Sequence, residues 1–368
     1  MKRIVFLSAI IFIATNSFAQ FDLPASGGNP KAKITEEVGI TDITLSYSRP
    51  DVNGREGKIW GSLVTNGFST TNFTTNTNVS PWRAGANENT TITFEHDVKF
   101  EGKPVKAGTY GLFMAMYPPD SVVIILSSQK DAWGSFYYDE KYDVLRATVK
   151  PTVLDKSVEY LKYEFIVQKE KYCVVAMQWE KLSVPFRIDV DVDNIVLNRI
   201  REELSSRKGF FPALELQAAQ YCLNKNINLE EALIWSKRAI TGFAGQKTYI
   251  TLRNLATAYE KLNRIPEADS TMNEALLIAT ANQYTAYGRI LISQKRVDKA
   301  MEVFIASQKR YGDMYGVNNG LMSGYSAKGD FKNAIKYAEK AMAQAPDDAT
   351  KKTIEGLIAK LKEGKDIN

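Results

Sequence analysis

The chain is poor in the residues from which many catalytic centres are built. One histidine, His96, and two cysteines, Cys173 and Cys222, stand among 368 residues. That is too few for a His-rich zinc centre or a disulfide framework, and whether Cys173 and Cys222 pair is left open. No Gly-Lys-Ser/Thr phosphate loop, Gly-x-Ser-x-Gly elbow or Gly-x-Gly-x-x-Gly fingerprint occurs, so the matching nucleotide, hydrolase and dinucleotide chemistries lack their signatures. The expectation is no cofactor, no metal and no assigned catalytic residue. Basic residues are scattered rather than set in stripes with aromatics between them, which leaves nucleic-acid binding without support. No apolar run is long enough to span a bilayer.

What is present begins with a leader. Met1-Lys2-Arg3 is a short basic start, followed by the apolar run Ile4 to Ala14 and small residues at Ser17 and Ala19. This is the pattern of a secretory signal peptide over 1–19, cleaved before Gln20, and it predicts a periplasmic or extracellular protein. Losing Lys2 and Arg3 changes 47 basic against 42 acidic residues to 45 against 42, a net +3 that names no partner.

Up to about residue 190 apolar side chains alternate, in Ile43-Thr44-Leu45-Ser46-Tyr47, in Ile92 and Phe94, in Leu145, Ala147 and Val149, and in Leu161, Tyr163, Phe165 and Val167. Val184, Phe186, Ile188 and Val190 continue the pattern, with Arg187 and Asp189 between them. Period 2 marks half-buried strands. Turn signals separate them, among them Asn53-Gly54, Gly102-Lys103-Pro104 and Pro118-Pro119-Asp120. Many short strands with such turns predict an all-β antiparallel sandwich, jelly-roll-like, over 20–191. The Thr/Asn-rich stretch 65–80 reads as an exposed loop. Its triplet at Asn72, like the one at Asn89, matches a glycosylation acceptor that such composition also produces by chance.

After Val190 the period changes. Asp191 or Asp193 can cap a helix through Ile195, Val196, Ile200 and Leu204, so 192–209 is read as a helical linker to an all-α domain over 210–368. There Gly329-Asp330-Phe331-Lys332-Asn333-Ala334, with Tyr337, Ala341, Met342 and Pro346 and with Leu321 and Tyr325 upstream, resembles a tetratricopeptide repeat. Ala232, Ala268, Ala300 and Ala334 mark four such units. A small residue is wanted where the two helices of a hairpin cross closely, and Gly288 fits the small position on a first helix. The resemblance implies a solenoid with a concave groove for a protein or peptide. Asn254, Thr257, Asn282, Tyr284 and Asn318 are its candidate lining, unless these faces are simply solvated.

The N-terminal half also carries SRPDVNGREGKIWGSLV, WRAGANENTTITF, GKPVKAGTYGLFM, DAWGSFYYDEKYDVLRATVKP and WEKLSVPFRIDV, in that order. Together, over about 31–191, they resemble an exported bacterial family labelled domain of unknown function 2911. The resemblance implies a β-sandwich and a secreted context, with no established activity. The loop at 65–80 is longer here than in the family pattern.

Two readings of these blocks stand side by side. In one, Arg49, Arg55, Trp60, Trp82, Arg83, Asn87, Glu88, Trp133 and Tyr137 converge at one end of the sandwich as an aromatic-walled pocket for a carbohydrate or a small anion. In the other, Arg83 pairs with Glu88 across a stapled turn and the tryptophans are core residues. The functional expectation is therefore a binding or interaction protein. Alternatives are a glycoside hydrolase using Glu88 with Asp139 or Glu140, and a structural envelope scaffold. A triad from His96-Asp97 and Ser80 is a weaker possibility, since a triad is a matter of geometry.

Overall fold

The computed structural model describes residues 28–70 and 79–368. The leader over 1–19, with its cleavage before Gln20, and the triplet at Asn72 lie outside the described residues.

Among the described residues ten strands fold into two antiparallel sheets. β1 (Lys31–Val38), β2 (Thr41–Ser48), β3 (Thr90–Phe94), β6 (Gly108–Tyr117), β7 (Ser121–Ser127) and β8 (Asp143–Val149) form a six-stranded sheet in that order. β5 (Lys103–Val105), β4 (Val98–Phe100), β10 (Tyr172–Val190) and β9 (Thr152–Lys169) form a four-stranded one. The alternating side chains fill one shared core: Ile43, Leu45, Ile92 and Phe94 from one sheet meet Val175, Val184, Phe186 and Ile188 from the other. This is the β-sandwich that period 2 calls for, each strand giving one face to the core.

β6 departs from that alternation, because seven consecutive residues from Tyr110 to Met116 are buried. Its outer face is covered too. Phe113, Ile125 and Tyr138 form a second small cluster with Phe68, so residues on two long loops close over the back of the sheet. The stretch expected as an exposed loop at 65–80 contributes to this cover: Gly67 N–H donates to the Met116 carbonyl at 2.7 Å, and Ser69 and Ser80 exchange backbone hydrogen bonds.

The chain divides into two compact units, Met1–Asn198 and Arg199–Asn368, at a point inside α1 (Val192–Leu204). Nine further helices follow: α2 (Pro212–Lys225), α3 (Leu229–Thr241), α4 (Tyr249–Lys261), α5 (Ile265–Leu276), α6 (Ala281–Ser293), α7 (Val297–Tyr311), α8 (Tyr315–Ala327), α9 (Phe331–Ala343) and α10 (Asp348–Lys362). α2/α3, α4/α5, α6/α7 and α8/α9 pack as hairpins, and the first helices stack on one another, α2 on α4 and α6 on α8. The anchor residues Ala232, Ala268, Ala300 and Ala334 are all buried on the second helices. Helix starts use local chemistry: Thr248 and Thr280 make capping boxes with Thr251 and Gln283, and Asp330 and Asp347 accept from the backbone of Asn333 and Thr350.

A close approach in the stack surrounds Phe304 of α7, which is fully buried. A Cβ on Gly288 of α6 would fall 2.1 Å from its ring, and Cβ atoms on Gly320 and Gly324 of α8 would fall 2.8 and 2.7 Å from it. The phenyl ring thus rests on the backbones of two neighbouring helices, and glycine is the residue that lets it do so.

Gly288→Val is expected to lower the unfolding free energy by about 1–3 kcal/mol through overpacking. Gly356→Ala, on α10 with open space around it, should instead raise it by about 0.5–1 kcal/mol. Urea denaturation of the two variants beside the parent chain reads both signs.

Candidate functional site

The tryptophan block of the sheet unit is a packed cluster. Trp82 Nε1 donates to the Gly85 carbonyl at 3.1 Å, and Trp82 exchanges backbone hydrogen bonds with Met114 of β6. Its ring lies 5.8 Å from that of Trp60, and both meet Trp179 of β10, at 6.0 and 5.7 Å. Ring centroids this close leave no room for a guest between them. Trp179 was not singled out in the sequence, because β-bulges on either side of Glu180 break the period-2 signal there. Glu180 itself is buried with φ +49, and its carboxylate accepts from the Gly57 N–H at 2.7 Å.

The turn after Trp82 is tied from several directions. The Ala84 carbonyl accepts from the Thr90 hydroxyl at 3.1 Å and from the Tyr163 hydroxyl at 2.8 Å. Arg83 does not pair with Glu88. Its Nη1 donates to the Asn87 carbonyl at 2.6 Å, while the Glu88 carboxylate accepts from the Ser48 hydroxyl and lies 3.7 Å from Lys31 Nζ. The Arg83 guanidinium covers the Phe136 ring at 4.9 Å and fills the space where Gly134 has no Cβ. Burial lowers its pKa, and no carboxylate lies within ion-pair distance of it among the described residues.

Gly134–Tyr137 form a 3-10 turn that docks on this block through the Ser135 hydroxyl, which donates to the Pro81 carbonyl at 2.7 Å. Trp133 and Tyr137 flank the turn and face outward, 53% and 55% exposed. The structure therefore brings Trp82, Arg83, Asn87 and the Trp133–Tyr137 turn together and joins Trp60 to them through its ring. Arg49 and Arg55 are taken up by backbone instead: Arg49 Nε donates to the Leu161 carbonyl, and Arg55 to the Val52 and Asp51 carbonyls of its own turn. The single aromatic-walled pocket of nine residues is corrected to a filled tryptophan cluster and an exposed aromatic turn. Buried polar atoms without a hydrogen-bond partner among the described residues nevertheless occur in this block, namely Trp60 Nε1, Trp179 Nε1, Asn87 Nδ2 and Ser80 Oγ.

The carboxylates considered for hydrolysis are engaged elsewhere, Asp139 with Lys141 at 2.6 Å and Glu140 with Arg146 at 3.4 Å. His96 Nδ1 lies 3.1 Å from the Thr41 hydroxyl, and Ser80 belongs to the bridge with Ser69. Among the described residues no group of three or more His, Cys, Asp and Glu could hold a metal ion.

In the repeat unit the groove candidates separate. Tyr284 and Asn318 are buried: the Tyr284 hydroxyl donates to the Leu276 carbonyl, and Asn318 Nδ2 to Asp313 and Gln344. Asn254 is buried against Ser236, whose hydroxyl donates to its Oδ1 at 2.7 Å. Tyr284 and Asn318 link neighbouring helices rather than line a groove, because first-helix positions facing a packed neighbour must satisfy their amides and hydroxyls internally. Asn254 is tied to Ser236 in the same way, yet it also borders a cavity between α2 and α4. Asn282 is exposed. Thr257 lines two adjoining cavities, one of about 640 Å³ bordered by α4, α5 and α6 and one of about 420 Å³ bordered by α2 and α4.

Arg253 lines both cavities as well, and sequence reading passed over it. It is half-buried and has no carboxylate partner among the described residues, whereas Arg296 nearby is held by Asp269 at 2.8 Å. The charge of the unit hints at an anionic partner without singling out a residue. Residues 199–368 carry 26 Lys and Arg against 19 Asp and Glu, a net +7, while residues 1–198 carry 21 against 23.

Residues 29–188 match the family model described as protein of unknown function (DUF2911), and residues 325–348 match a tetratricopeptide repeat. No curated protein matches the chain. Similar solved structures include the APC/C hetero-tetramer Cut9–Hcn1 (16% identity, TM-score 0.32, 46% of this chain and 33% of that one). The chain thus spans a third of that protein's chain. Two others are YrrB, described as a TPR protein with an unusual peptide-binding site (15%, TM-score 0.29, 45% and 84%), and MamA AMB-1 (14%, TM-score 0.26, 42% and 85%). At these scores the likeness carries no functional inference.

Replacing a tryptophan separates cluster from surface. Trp60→Ala should cost about 3–5 kcal/mol, and Trp133→Ala less than about 0.5 kcal/mol, both read from urea denaturation. The thiols supply a pH test. Cys173 is pushed up to about 12 and Cys222 to about 11, chiefly by burial. The native state thus holds protons that an unfolded chain releases near pH ~8.5, so stability should fall as pH rises above that value. Ellman's reagent at pH 8 is expected to titrate neither thiol in the native protein and both in guanidinium chloride.

Proposed function

We infer that the chain is a binding protein whose repeat unit contacts a protein partner through the surface around Arg253. Tetratricopeptide repeats support protein contact as a class, and one observation carries the site. A half-buried guanidinium without a counter-ion among the described residues lies where two cavities meet, in a unit of net positive charge. Keeping such a group from full hydration is costly unless a carboxylate or a similar acceptor completes it. Thr257 and Gln220 provide polar contacts along the same walls, and Ile250, Ile265 and Met272 provide apolar ones. The partner chemistry is a segment that alternates acidic and aliphatic side chains. No described helix is long and apolar enough to cross a membrane, and the leader read in Met1–Ala19 would deliver both units outside the cytoplasm.

A second reading concerns the sheet unit, where Trp133 and Tyr137 are exposed at the ends of the turn that packs on Arg83. Outward aromatic faces beside a guanidinium suit stacking and hydrogen bonding to a sugar ring or a small anion. Its test is a glycan array on the parent chain and on Trp133→Ala.

The primary reading is tested with a labelled peptide of four Glu-Leu repeats and its Lys-Leu counterpart, titrated by fluorescence anisotropy. The acidic peptide should bind at least tenfold more tightly than the basic one, a difference of about 1.4 kcal/mol. Arg253→Glu should remove that preference while leaving the circular dichroism spectrum unchanged. Equal binding of both peptides, or a variant that binds like the parent, would sink the assignment.

A further inference from the structure

The segment after α10 folds back onto the first helix of the fourth repeat. Gly364, at φ +74, ends the helix; its N–H donates to the Leu361 carbonyl and that of Lys365 to the Lys360 carbonyl, which turns the chain around. Ser326 of α8 then holds the returning strand twice. Its hydroxyl donates to Asp366 Oδ1 at 2.7 Å and accepts from the Ile367 N–H at 3.1 Å. Asn368 Nδ2 donates to the Ser323 carbonyl at 3.0 Å. The Ile367 side chain packs half-buried on the cluster that contains Met322, Ile354 and Ile358.

The repeat makes this placement informative. Ala268 and Ala334 are equivalent anchors 66 positions apart, so Met322, Ser323 and Ser326 of α8 correspond to Ala256, Thr257 and Glu260 of α4. Those three α4 residues line the cavity of about 640 Å³. The same surface is open in the second repeat and covered by the chain's own extended segment in the fourth. A cavity of about 570 Å³, lined by Arg289, Ile292, Met322, Leu357 and Ile367 among others, remains beside that segment.

We propose that Asp366–Asn368 is a displaceable internal ligand: it occupies on α8 the surface that the equivalent positions of α4 offer to a partner, and an incoming acidic-aliphatic segment exchanges with it. The proposal rests on reading the repeat surface as a binding groove and adds a regulation to it. Asp366-Ile367 is itself an acidic residue followed by an aliphatic one, the chemistry inferred for the partner. Three hydrogen bonds and one half-buried side chain hold the segment to α8, few enough for local opening without unfolding of the solenoid.

The test uses the full chain, the double variant Ile367→Ser/Asn368→Gly, and a synthetic peptide of residues 360–368 as probe, followed by NMR. In the parent protein the Ile367 amide should exchange at least about tenfold more slowly than in the free peptide. The double variant should melt within about 3 °C of the parent. Millimolar peptide should shift the Ser323 and Ser326 amide resonances in the variant, and in the parent it should speed exchange of the Ile367 amide as the segment is displaced. Three results overturn the proposal: an Ile367 amide that exchanges as fast as in the free peptide, a fall in melting temperature beyond about 8 °C, which makes the segment integral to the core, or a folded variant whose α8 resonances ignore the peptide. Because the probe is the chain's own sequence, such a failure leaves the anisotropy result at Arg253 standing by itself.

Discussion

Backbone contact at Phe304 sets the geometry on which the repeat unit depends. Its ring lies against glycines of α6 and α8 at once, so it fixes the distance between successive first helices as well as the closure of its own hairpin. α6 and α8 carry Arg289 and Ser323, and α6 also borders the cavity that Arg253 and Thr257 of α4 line. A bulkier residue at Gly288 or Gly320 would press the helices apart and alter the spacing of every polar group they present. The buried anchor alanines do the same service at the hairpin crossings. Small residues in this unit act at a distance by setting how closely the helices that bear the functional groups approach.

In the sheet unit the corresponding constraint is one carbonyl. The Ala84 oxygen, on a residue at φ +53, accepts two hydroxyls, one from β3 and one from β9, and so ties a turn to both sheets. Around it Trp60, Trp82 and Trp179 fill the interior, while Arg83 and the Gly134–Tyr137 turn close the outside. Most of the polar character of this block is consumed internally. What stays open is a small outward face with Trp133 and Tyr137.

Architecture was legible because periodicity survives without knowledge of contacts. Val184 to Val190 alternate and are buried in alternation, and the four anchor alanines recur because each hairpin repeats one packing problem. The candidate sites were less legible for physical reasons that differ by residue. Arg49 and Arg55 look like free donors in a sequence, yet backbone carbonyls far along the chain or within the same turn claim them. Tyr284 and Asn318 fall on first helices, and only the neighbouring helix ends reveal that both are turned inward. Trp179 was hidden by bulges. Arg253 was hidden because the absence of a counter-ion is a property of three-dimensional surroundings.

The sheet unit spends its conspicuous aromatic block, and with it the Arg83 guanidinium, on its own packing, while the repeat unit holds the open walls and the Arg253 guanidinium that no carboxylate meets among the described residues. The most direct measurement is hydrogen–deuterium exchange by mass spectrometry on the intact protein, with and without the acidic Glu-Leu peptide. The account predicts slowed exchange in segments spanning α4 and α6, with residues 80–89 and 131–142 unchanged. Protection confined to residues 80–89 and 131–142, with α4 and α6 unaffected, would contradict it and return the binding site to the sheet unit.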